Sequence, residues 1–186
     1  MLKRCLFILS VAALPAAAQQ KAAAPAAQKS ASSSAGVEIA RSLWRGVSGY
    51  ITQAAADVPE TLYSFKPSPD VRTFGELIGH IAGSQKMFCA IAMGEKPPAE
   101  DEVEKNAKTK AALVAALKES NDYCAKAYQQ TDAATSGMVD LFGEQRSKLY
   151  TLHENATHDS EHYGNIVTYM RINKMVPPSS RPRSGS

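Results

Sequence analysis

Two histidines near the C-terminus, His158 and His162, have the spacing of a helical metal-binding pair. If the surrounding stretch is helical, about 3.6 residues per turn place both imidazoles on one face, roughly one turn apart. Two imidazoles in this arrangement can hold one divalent metal ion. The spacing also arises by chance in surface or packed histidines, and a pair supplies only two ligands. A third would have to come from His80 or His153, the only other histidines of the chain.

His80 is the better candidate for the third ligand. It lies at the edge of the apolar face of a predicted helix, so we expect it at the border between core and solvent. If that helix neighbours the one that carries the pair, three imidazoles converge at one end of the core. Three nitrogen ligands with an open fourth position form a common catalytic arrangement, in which the ion activates a bound water or thiol or polarises a carbonyl. No catalytic group is assigned beyond this metal-bound water.

The remaining histidine, His153, precedes His158 by five residues and lies about 140° round the helix from it, which predicts a surface position. Imidazole ligands usually donate their second ring nitrogen to an acceptor that fixes the orientation of the ring. Glu76, Glu154 and Asn155 are the candidate acceptors for the proposed site.

Four amphipathic segments carry these residues, at positions 37–58, 73–93, 109–131 and 145–171. In each of them apolar residues recur at intervals of three and four, which is typical of helices with one buried face. No strand-like alternation of useful length is evident. The intervening segments, at residues 59–70, 95–108 and 132–144, are predicted to be irregular. The second of them is predicted to be a long loop. The sequence therefore predicts an all-α fold, a four-helix bundle with irregular connections.

Local signals mark the helix ends. Thr73 followed by Glu76 has the capping-box pattern, and Gly94 fits the position after a helix C-terminus. Asn173 can take the left-handed conformation that ends the last helix, and the two prolines at 177–178 prevent its continuation.

The chain divides into four parts by composition. A positive start, a short apolar run and small residues predict a secretory signal, and a tract rich in Ala, Gln and Ser predicts a flexible tether. The predicted parts are the signal at residues 1–18, the tether at 19–34, the helical bundle at 35–176 and a Pro/Ser/Arg tail at 177–186. We therefore expect an exported protein, periplasmic or secreted, with no stable membrane span after cleavage.

Charge and cysteine content limit the function classes. The formal net charge is +3, much of it in the predicted signal and tail, and no basic stripe interleaved with aromatic residues is present. A nucleic-acid partner is therefore not expected. Cys89 and Cys124 remain after the signal, and an exported compartment permits a disulfide between them. The alternative is that both are small buried residues in different helices.

Two motifs give the chain a family resemblance. The first is Leu-Tyr-Ser-Phe-Lys-Pro leading into Thr-Phe-Gly-Glu-Leu-Ile-Gly-His-Ile-Ala, and the second is His-Asp-Ser-Glu-His-Tyr-Gly-Asn-Ile-Val followed by Tyr-Met-Arg and Pro-Pro-Ser-Ser. These motifs occupy residues 62–67, 73–82, 158–167, 169–171 and 177–180. Through them, residues 37–180 resemble the DinB/YfiT-like superfamily of metal-dependent proteins, and within it a group of exported bacterial members.

The resemblance implies a four-helix bundle with a three-histidine metal site. His80 matches the ligand on the second helix, and His158 and His162 match the HxxxH pair on the last. The family favours zinc or nickel at this site, with iron and manganese as alternatives, and its members commonly form homodimers. Some relatives transfer groups to or from thiols such as mycothiol and bacillithiol. This implies a small-molecule substrate of unknown identity, which by analogy with those relatives would contain a thiol.

One departure from the family pattern bears on the substrate. Many relatives read His-Arg-Gly-Gln after the final ligand, whereas this chain has Tyr163, Gly164 and Asn165 after His162. The missing arginine charge argues against transfer of an anionic substrate. The leading hypothesis is a divalent-metal-dependent enzyme of the hydrolase or thiol-transferase type. The alternatives are a non-catalytic exported metal-binding or stress-related module and a helical interaction protein whose histidines hold no metal.

Overall fold

The computed structural model describes residues 35–182 of the chain. The predicted signal, the tether and the last four residues of the tail lie outside this range. Two short 3-10 helices, Glu60–Leu62 and Pro178–Ser180, accompany the regular elements. The regular elements are α1 (Ala35–Asp57), α2 (Phe74–Met93), α3 (Glu102–Asn106), α4 (Lys110–Ala127), α5 (Asp132–Thr135), β1 (Met138–Leu141), β2 (Glu144–Ser147) and α6 (Lys148–Ile172).

Four long helices, α1, α2, α4 and α6, form the predicted bundle. Side chains that cap their first turns define where three of them begin. Thr73 and Glu76 make the complete capping box of α2, and Thr109 and Ser147 accept backbone hydrogen bonds at the starts of α4 and α6. Gly94 ends α2 in the left-handed conformation, with φ of 79°. These ends and the bundle itself confirm the sequence predictions.

Helix α2 is the central element of the fold. It packs against α4, α6 and α3, and it is buried around almost its whole circumference. His80 is consequently only 6% exposed, so the expectation of a place at the border with solvent is wrong. An apolar stripe read from one helix alone shows the face that is most hydrophobic, but not how many neighbours cover the other faces.

A disulfide joins two of the bundle helices. Cys89 on α2 pairs with Cys124 on α4, across a Cα–Cα distance of 5.3 Å, and both residues are fully buried. The bond lies in a cluster in which Trp44 of α1 stacks on Tyr128, with ring centroids 4.6 Å apart. Of the two alternatives left open by the sequence, the structure therefore contains the disulfide.

The connections contain more regular structure than predicted. Residues 102–106 form the short helix α3 within the segment expected to be a loop, and α4 ends at Ala127, earlier than expected, before α5. Strands β1 and β2 form an antiparallel hairpin, whose turn has positive φ at Phe142 and Gly143. The sequence analysis did not anticipate this short hairpin. Four-residue strands are too short to show a clear alternation.

The end of the last helix also differs from the prediction. Asn173 has φ of −87°, and the left-handed residue is Lys174, one position later. Beyond it, the chain packs back on the bundle. Pro178 is buried, and Arg181 forms an ion pair with Asp57 at the end of α1. Among the helices of residues 35–182, none is both long and apolar enough to cross a membrane.

Candidate metal centre

Three histidines from two neighbouring helices meet at one point. His80 comes from α2, and His158 and His162 lie one turn apart on α6. The Nε2 atom of His80 is 3.2 Å from that of His158 and 3.1 Å from that of His162. The Nε2 atoms of the α6 pair are 3.0 Å apart. The predicted convergence of the three rings is therefore present, while metal binding by them stays a prediction. We call these three residues the histidine triad.

The surroundings of the triad favour neutral imidazoles. Burial lowers the pKa of His80 to about 4, and the charges of Arg72 and His162 act in the same direction. Burial also lowers the pKa of His158 to about 4, where its two partner histidines reinforce the effect and Glu100 opposes it. The pKa of His162 is lowered too, again chiefly by burial. Near neutral pH all three rings are therefore uncharged, as a metal ligand must be.

The triad fits a divalent cation. In the tautomer that carries its proton on Nδ1, each neutral ring directs its Nε2 lone pair at the same small space, and three such lone pairs are unfavourable there unless a positive ion lies among them. Ligand nitrogens about 2.0–2.1 Å from a tetrahedral ion would be roughly 3.3 Å apart, close to the observed separations. Within residues 35–182 the buried Nδ1 atoms of His80 and His158 have no hydrogen-bond partner, whereas a ligand imidazole usually donates this nitrogen to an acceptor.

An acidic segment, residues 100–104, lies against α2 beside the triad. Oε1 of Glu100 is 3.8 Å from Nε2 of His80, and Oε2 of Glu104 is 3.8 Å from Nδ1 of the same ring. The two carboxylates therefore approach opposite nitrogens of one imidazole. Two glycines of α2 allow this approach. A Cβ on Gly79 would meet the Glu104 Cα at 2.8 Å, and one on Gly83 would clash with the Glu100 carbonyl oxygen.

An open cleft of about 690 Å³ reaches His162 from the side of the proline-rich connection. Asn165 and Tyr169, which follow His162 along the same side of α6, line it together with Arg72. Nδ2 of Asn165 lies 3.5 Å from Nδ1 of His162, and the Tyr169 hydroxyl donates to the Arg72 carbonyl at 2.6 Å. The cleft therefore reaches the triad at His162.

The charges that line the cleft are mostly negative. Arg72 is the only cationic residue among those lining it, and it forms an ion pair with Glu104 at 3.1 Å. Asp70 and Glu76 lie in the same lining. Glu76 also caps α2: its carboxylate accepts a hydrogen bond from the Thr73 backbone N–H at 2.8 Å, and hydrogen bonding from Thr73 lowers the pKa of this carboxyl. The lining therefore carries three carboxylates against one guanidinium.

The opposite side of the triad is apolar. The Phe88 ring of α2 contacts the His158 ring, with ring centroids 5.5 Å apart. Phe142, in the turn between β1 and β2, contacts Phe88 edge to face. Phe88 is only 3% exposed, so its ring keeps water from that side of the His158 ring, which strengthens electrostatic interactions there.

Not every predicted residue takes part in this site. His153 is half-buried and its Nδ1 lies 3.0 Å from the Leu149 carbonyl oxygen, away from the triad as predicted. The predicted acceptors for the ring nitrogens are wrong for Glu76, which caps α2, and for Asn155, which donates to the Tyr128 hydroxyl. No contact between Glu154 and the triad occurs within residues 35–182.

Glu100 and Glu104 are the carboxylates that lie beside the triad, each 3.8 Å from a nitrogen of His80, and sequence reasoning missed both. They lie in a segment expected to be a loop of no particular register. A usable signal was the four-residue spacing of Gly75, Gly79 and Gly83, which opens one side of α2 to close backbone contact.

Comparison with known proteins identifies the family and the fold. The model of the DinB superfamily matches residues 45–166. A DinB-like protein from Bacillus cereus superposes with a TM-score of 0.65 at 18% identity, over 76% of this chain and 95% of its own. YfiT from Bacillus subtilis, described as a probable metal-dependent hydrolase with an unusual four-helix bundle topology, gives 0.58 at 15% identity, over 75% of this chain and 88% of its own.

A third similar structure is a mycothiol-dependent maleylpyruvate isomerase, with a TM-score of 0.59 at 19% identity. The match covers 70% of this chain and 59% of the isomerase. No curated protein matches the sequence. At these identities the likenesses establish the bundle fold.

Proposed function

The chain belongs to the DinB superfamily, and from that premise we propose that it is a divalent-metal-dependent enzyme whose ligands are His80, His158 and His162. The observation that carries the proposal is the meeting of three Nε2 atoms within 3.2 Å of one another. Zinc or nickel is the proposed ion, because neutral imidazoles suit both, with iron and manganese as alternatives.

Hydrolysis of a small molecule is the proposed reaction class. A divalent ion held by three imidazoles supplies a Lewis acid and activates water near neutral pH. The residues of the chain provide the rest of the site. Asn165 lies beside the His162 ring, Tyr169 fixes the backbone of Arg72 at the cleft wall, and Phe88 excludes water behind His158. The likeness to YfiT, a probable metal-dependent hydrolase, supports this class.

The charge of the cleft bears on the substrate. Three carboxylates and one guanidinium in the lining favour a neutral or cationic molecule over an anionic one. This preference agrees with the missing arginine after His162. The second candidate reaction is group transfer to or from a thiol, supported by the likeness to the mycothiol-dependent isomerase. The acidic lining then favours an uncharged thiol.

The buried disulfide supports an exported protein. Disulfides persist in oxidising compartments and are rare in the cytosol, and Cys89 pairs with Cys124 in the core. We therefore propose that the protein works outside the cytoplasm.

Elemental analysis of protein purified without a histidine tag tests the metal site. We expect about one equivalent of a divalent metal per chain, since one set of three ligands is present. His158→Ala should abolish binding, and His153→Ala, which alters a histidine outside the triad, should leave it intact. If the wild-type protein remains free of metal after incubation with zinc or nickel, the proposal is overturned.

Activity is tested separately, on the metal-loaded protein. A panel of small neutral, cationic and anionic esters and amides should show turnover that is lost with chelator and with His158→Ala, and retained with His153→Ala. Thiol-dependent group transfer is assayed with the same metal-loaded proteins, using one neutral and one anionic thiol. A protein that holds its metal tightly but turns over neither set supports the non-catalytic alternative.

A further inference from the structure

Glu100 stands at the mouth of the histidine triad. Its Oε1 lies 3.8 Å from Nε2 of His80 and 4.0 Å from Nε2 of His158. Glu100 therefore lies beside the Nε2 atoms, which face the centre of the triad, and not beside the Nδ1 atoms, which face away from it. The Glu100 side chain is 40% exposed, so the carboxylate lies between the buried triad and solvent.

Backbone packing fixes the place of this carboxylate. The Glu100 carbonyl oxygen packs directly on Gly83, where no Cβ could be accommodated. Two prolines at positions 97 and 98 restrict the backbone that precedes it. The backbone of Glu100 is therefore held against α2, about one helical turn along α2 from His80.

The carboxylate itself is held loosely. Oγ of Ser84 lies 3.1 Å from Oε1 of Glu100 and 2.8 Å from the His80 carbonyl oxygen. A hydroxyl has one proton, so it serves one of these acceptors at a time. No other hydrogen bond to the Glu100 carboxylate occurs within residues 35–182. Ligand atoms of a tetrahedral ion are roughly 3.3 Å apart, so Oε1, at 3.8 Å and 4.0 Å from the Nε2 atoms of His80 and His158, lies only slightly outside ligand separation.

We propose that Glu100 is a fourth protein donor to the cation bound by His80, His158 and His162. This inference rests on the proposed function. A carboxylate oxygen is a common ligand of zinc and of the other divalent ions proposed for the triad, and its charge compensates the positive charge that three neutral imidazoles leave unbalanced. Because its hydrogen bonding is weak and the side chain is partly exposed, a substrate entering the site can displace it.

Glu104 provides an internal contrast. Its Oε2 approaches Nδ1 of His80, the nitrogen that points away from the common point. Arg72 holds this carboxylate, which lies outside hydrogen-bond distance of the His80 ring, and it is not a donor to the same ion.

Cobalt(II) loading of the purified full-length protein tests this inference, because the visible spectrum of cobalt reports its ligands. The variants are Glu100→Ala and, as the matched control, Glu102→Ala, which removes an exposed carboxylate two residues away. We expect Glu100→Ala to weaken cobalt binding by roughly tenfold or more. Removal of a residue that only hydrogen-bonds to a metal ligand already weakens binding by about tenfold, and a direct ligand should cost at least as much. The spectrum should change in band position and intensity, and added acetate should restore it. Glu102→Ala should keep the wild-type spectrum and affinity.

A Glu100→Ala protein that keeps the wild-type spectrum overturns the inference, even if its affinity falls, since a through-space charge lowers affinity without altering the ligands. Wild-type protein that binds no cobalt, zinc or nickel overturns both this inference and the proposed function. Wild-type binding with an unchanged Glu100→Ala spectrum removes the inference alone. Unchanged melting temperatures of the variants would show that the fold is intact in each comparison.

Discussion

The backbone of Glu100 lies directly on Gly83, and a Cβ on this glycine would meet the Glu100 carbonyl oxygen at less than 3.0 Å. Gly79, one turn earlier, has a similar contact with the Cα of Glu104. The two glycines thus set the distance between the acidic segment and α2. That distance in turn places one carboxylate on each side of the His80 ring.

Substitution of Gly83 by alanine should destabilise the protein. The added methyl group meets backbone rather than the end of a flexible side chain, so either α2 or the acidic segment must shift, at a cost of about 1–3 kcal/mol. Urea unfolding measures the loss. Metal affinity should fall as well, because the shift moves Glu100 away from the triad.

Gly46 on α1 is the matched control. Among residues 35–182, a Cβ there meets nothing within 4 Å, so Gly46→Ala should stabilise the protein by about 0.5–1 kcal/mol through the lower conformational entropy of the unfolded chain. Equal stabilities of wild type and Gly83→Ala would show that the contact is not tight in solution.

The features that the sequence predicts best are those with a local cause. The capping box at Thr73, the left-handed Gly94 and the helical period of α6 depend on residues within a few positions of one another. The i, i+4 spacing also places His158 and His162 on one side of α6 whatever the tertiary structure. The bundle and two of the three triad residues could therefore be read from local pattern alone.

The residues around the triad could not be read in this way. Glu100 and Glu104 reach His80 through backbone packing between segments that are separate in sequence, and no periodicity encodes the register of that contact. The burial of His80 likewise depends on α3, α4 and α6 all covering α2. Asn155 was misplaced because it satisfies the Tyr128 hydroxyl in the core instead of a ring nitrogen of the triad.

The disulfide should contribute substantially to stability. Replacing both Cys89 and Cys124 by alanine should lower the free energy of unfolding by about 2–4 kcal/mol, because the bond closes a long loop in the unfolded chain. The residues are 35 positions apart. Urea denaturation with and without reductant measures the effect. Reductant should shift the midpoint of the wild type towards that of the double variant, and should leave the double variant unchanged. A wild-type midpoint insensitive to reductant under unfolding conditions would contradict a bridged pair.

Metal should stabilise the folded protein through the triad. At a free zinc concentration about a hundredfold above Kd, binding to the folded state alone adds about 2.7 kcal/mol. Thermal unfolding should therefore move up by several degrees on addition of zinc, at about 2–4 °C per kcal/mol for a chain of this size. His80→Ala should abolish the shift, whereas His153→Ala should preserve it. Chelator should return the wild type to the metal-free transition. A shift of equal size in His80→Ala would mean that zinc binds elsewhere.

Acid should destabilise the metal-free protein before its carboxylates are protonated. The pKa of His158 falls from 6.5 to about 4 on folding, and that of His80 does the same. Protons therefore bind the unfolded chain more tightly than the folded one. The stability that depends on these neutral rings is present above about pH 6.5 and is lost as the pH falls towards 4. The loss is on the order of 2 kcal/mol for each ring, discounted for its partial exposure.

Two other groups must be separated from this effect. Burial raises the pKa of Asp159, so its protonation favours the folded state as the pH falls and opposes the histidines. The lowered pKa of Glu76 affects the free energy of unfolding only as the pH falls below about 4.5, the ordinary pKa of this carboxyl.

The informative quantity is therefore the difference in the free energy of unfolding between wild type and His158→Gln, measured by urea unfolding in chelator at pH 7, 6 and 5. The groups that face His158, namely His80, His162, Glu100 and Arg72, are the same in both proteins. The wild type should lose more stability than His158→Gln across this range, since only the wild type protonates this ring on unfolding. Parallel pH curves for the two proteins would show that His158 is already protonated, or equally free to titrate, in the folded state.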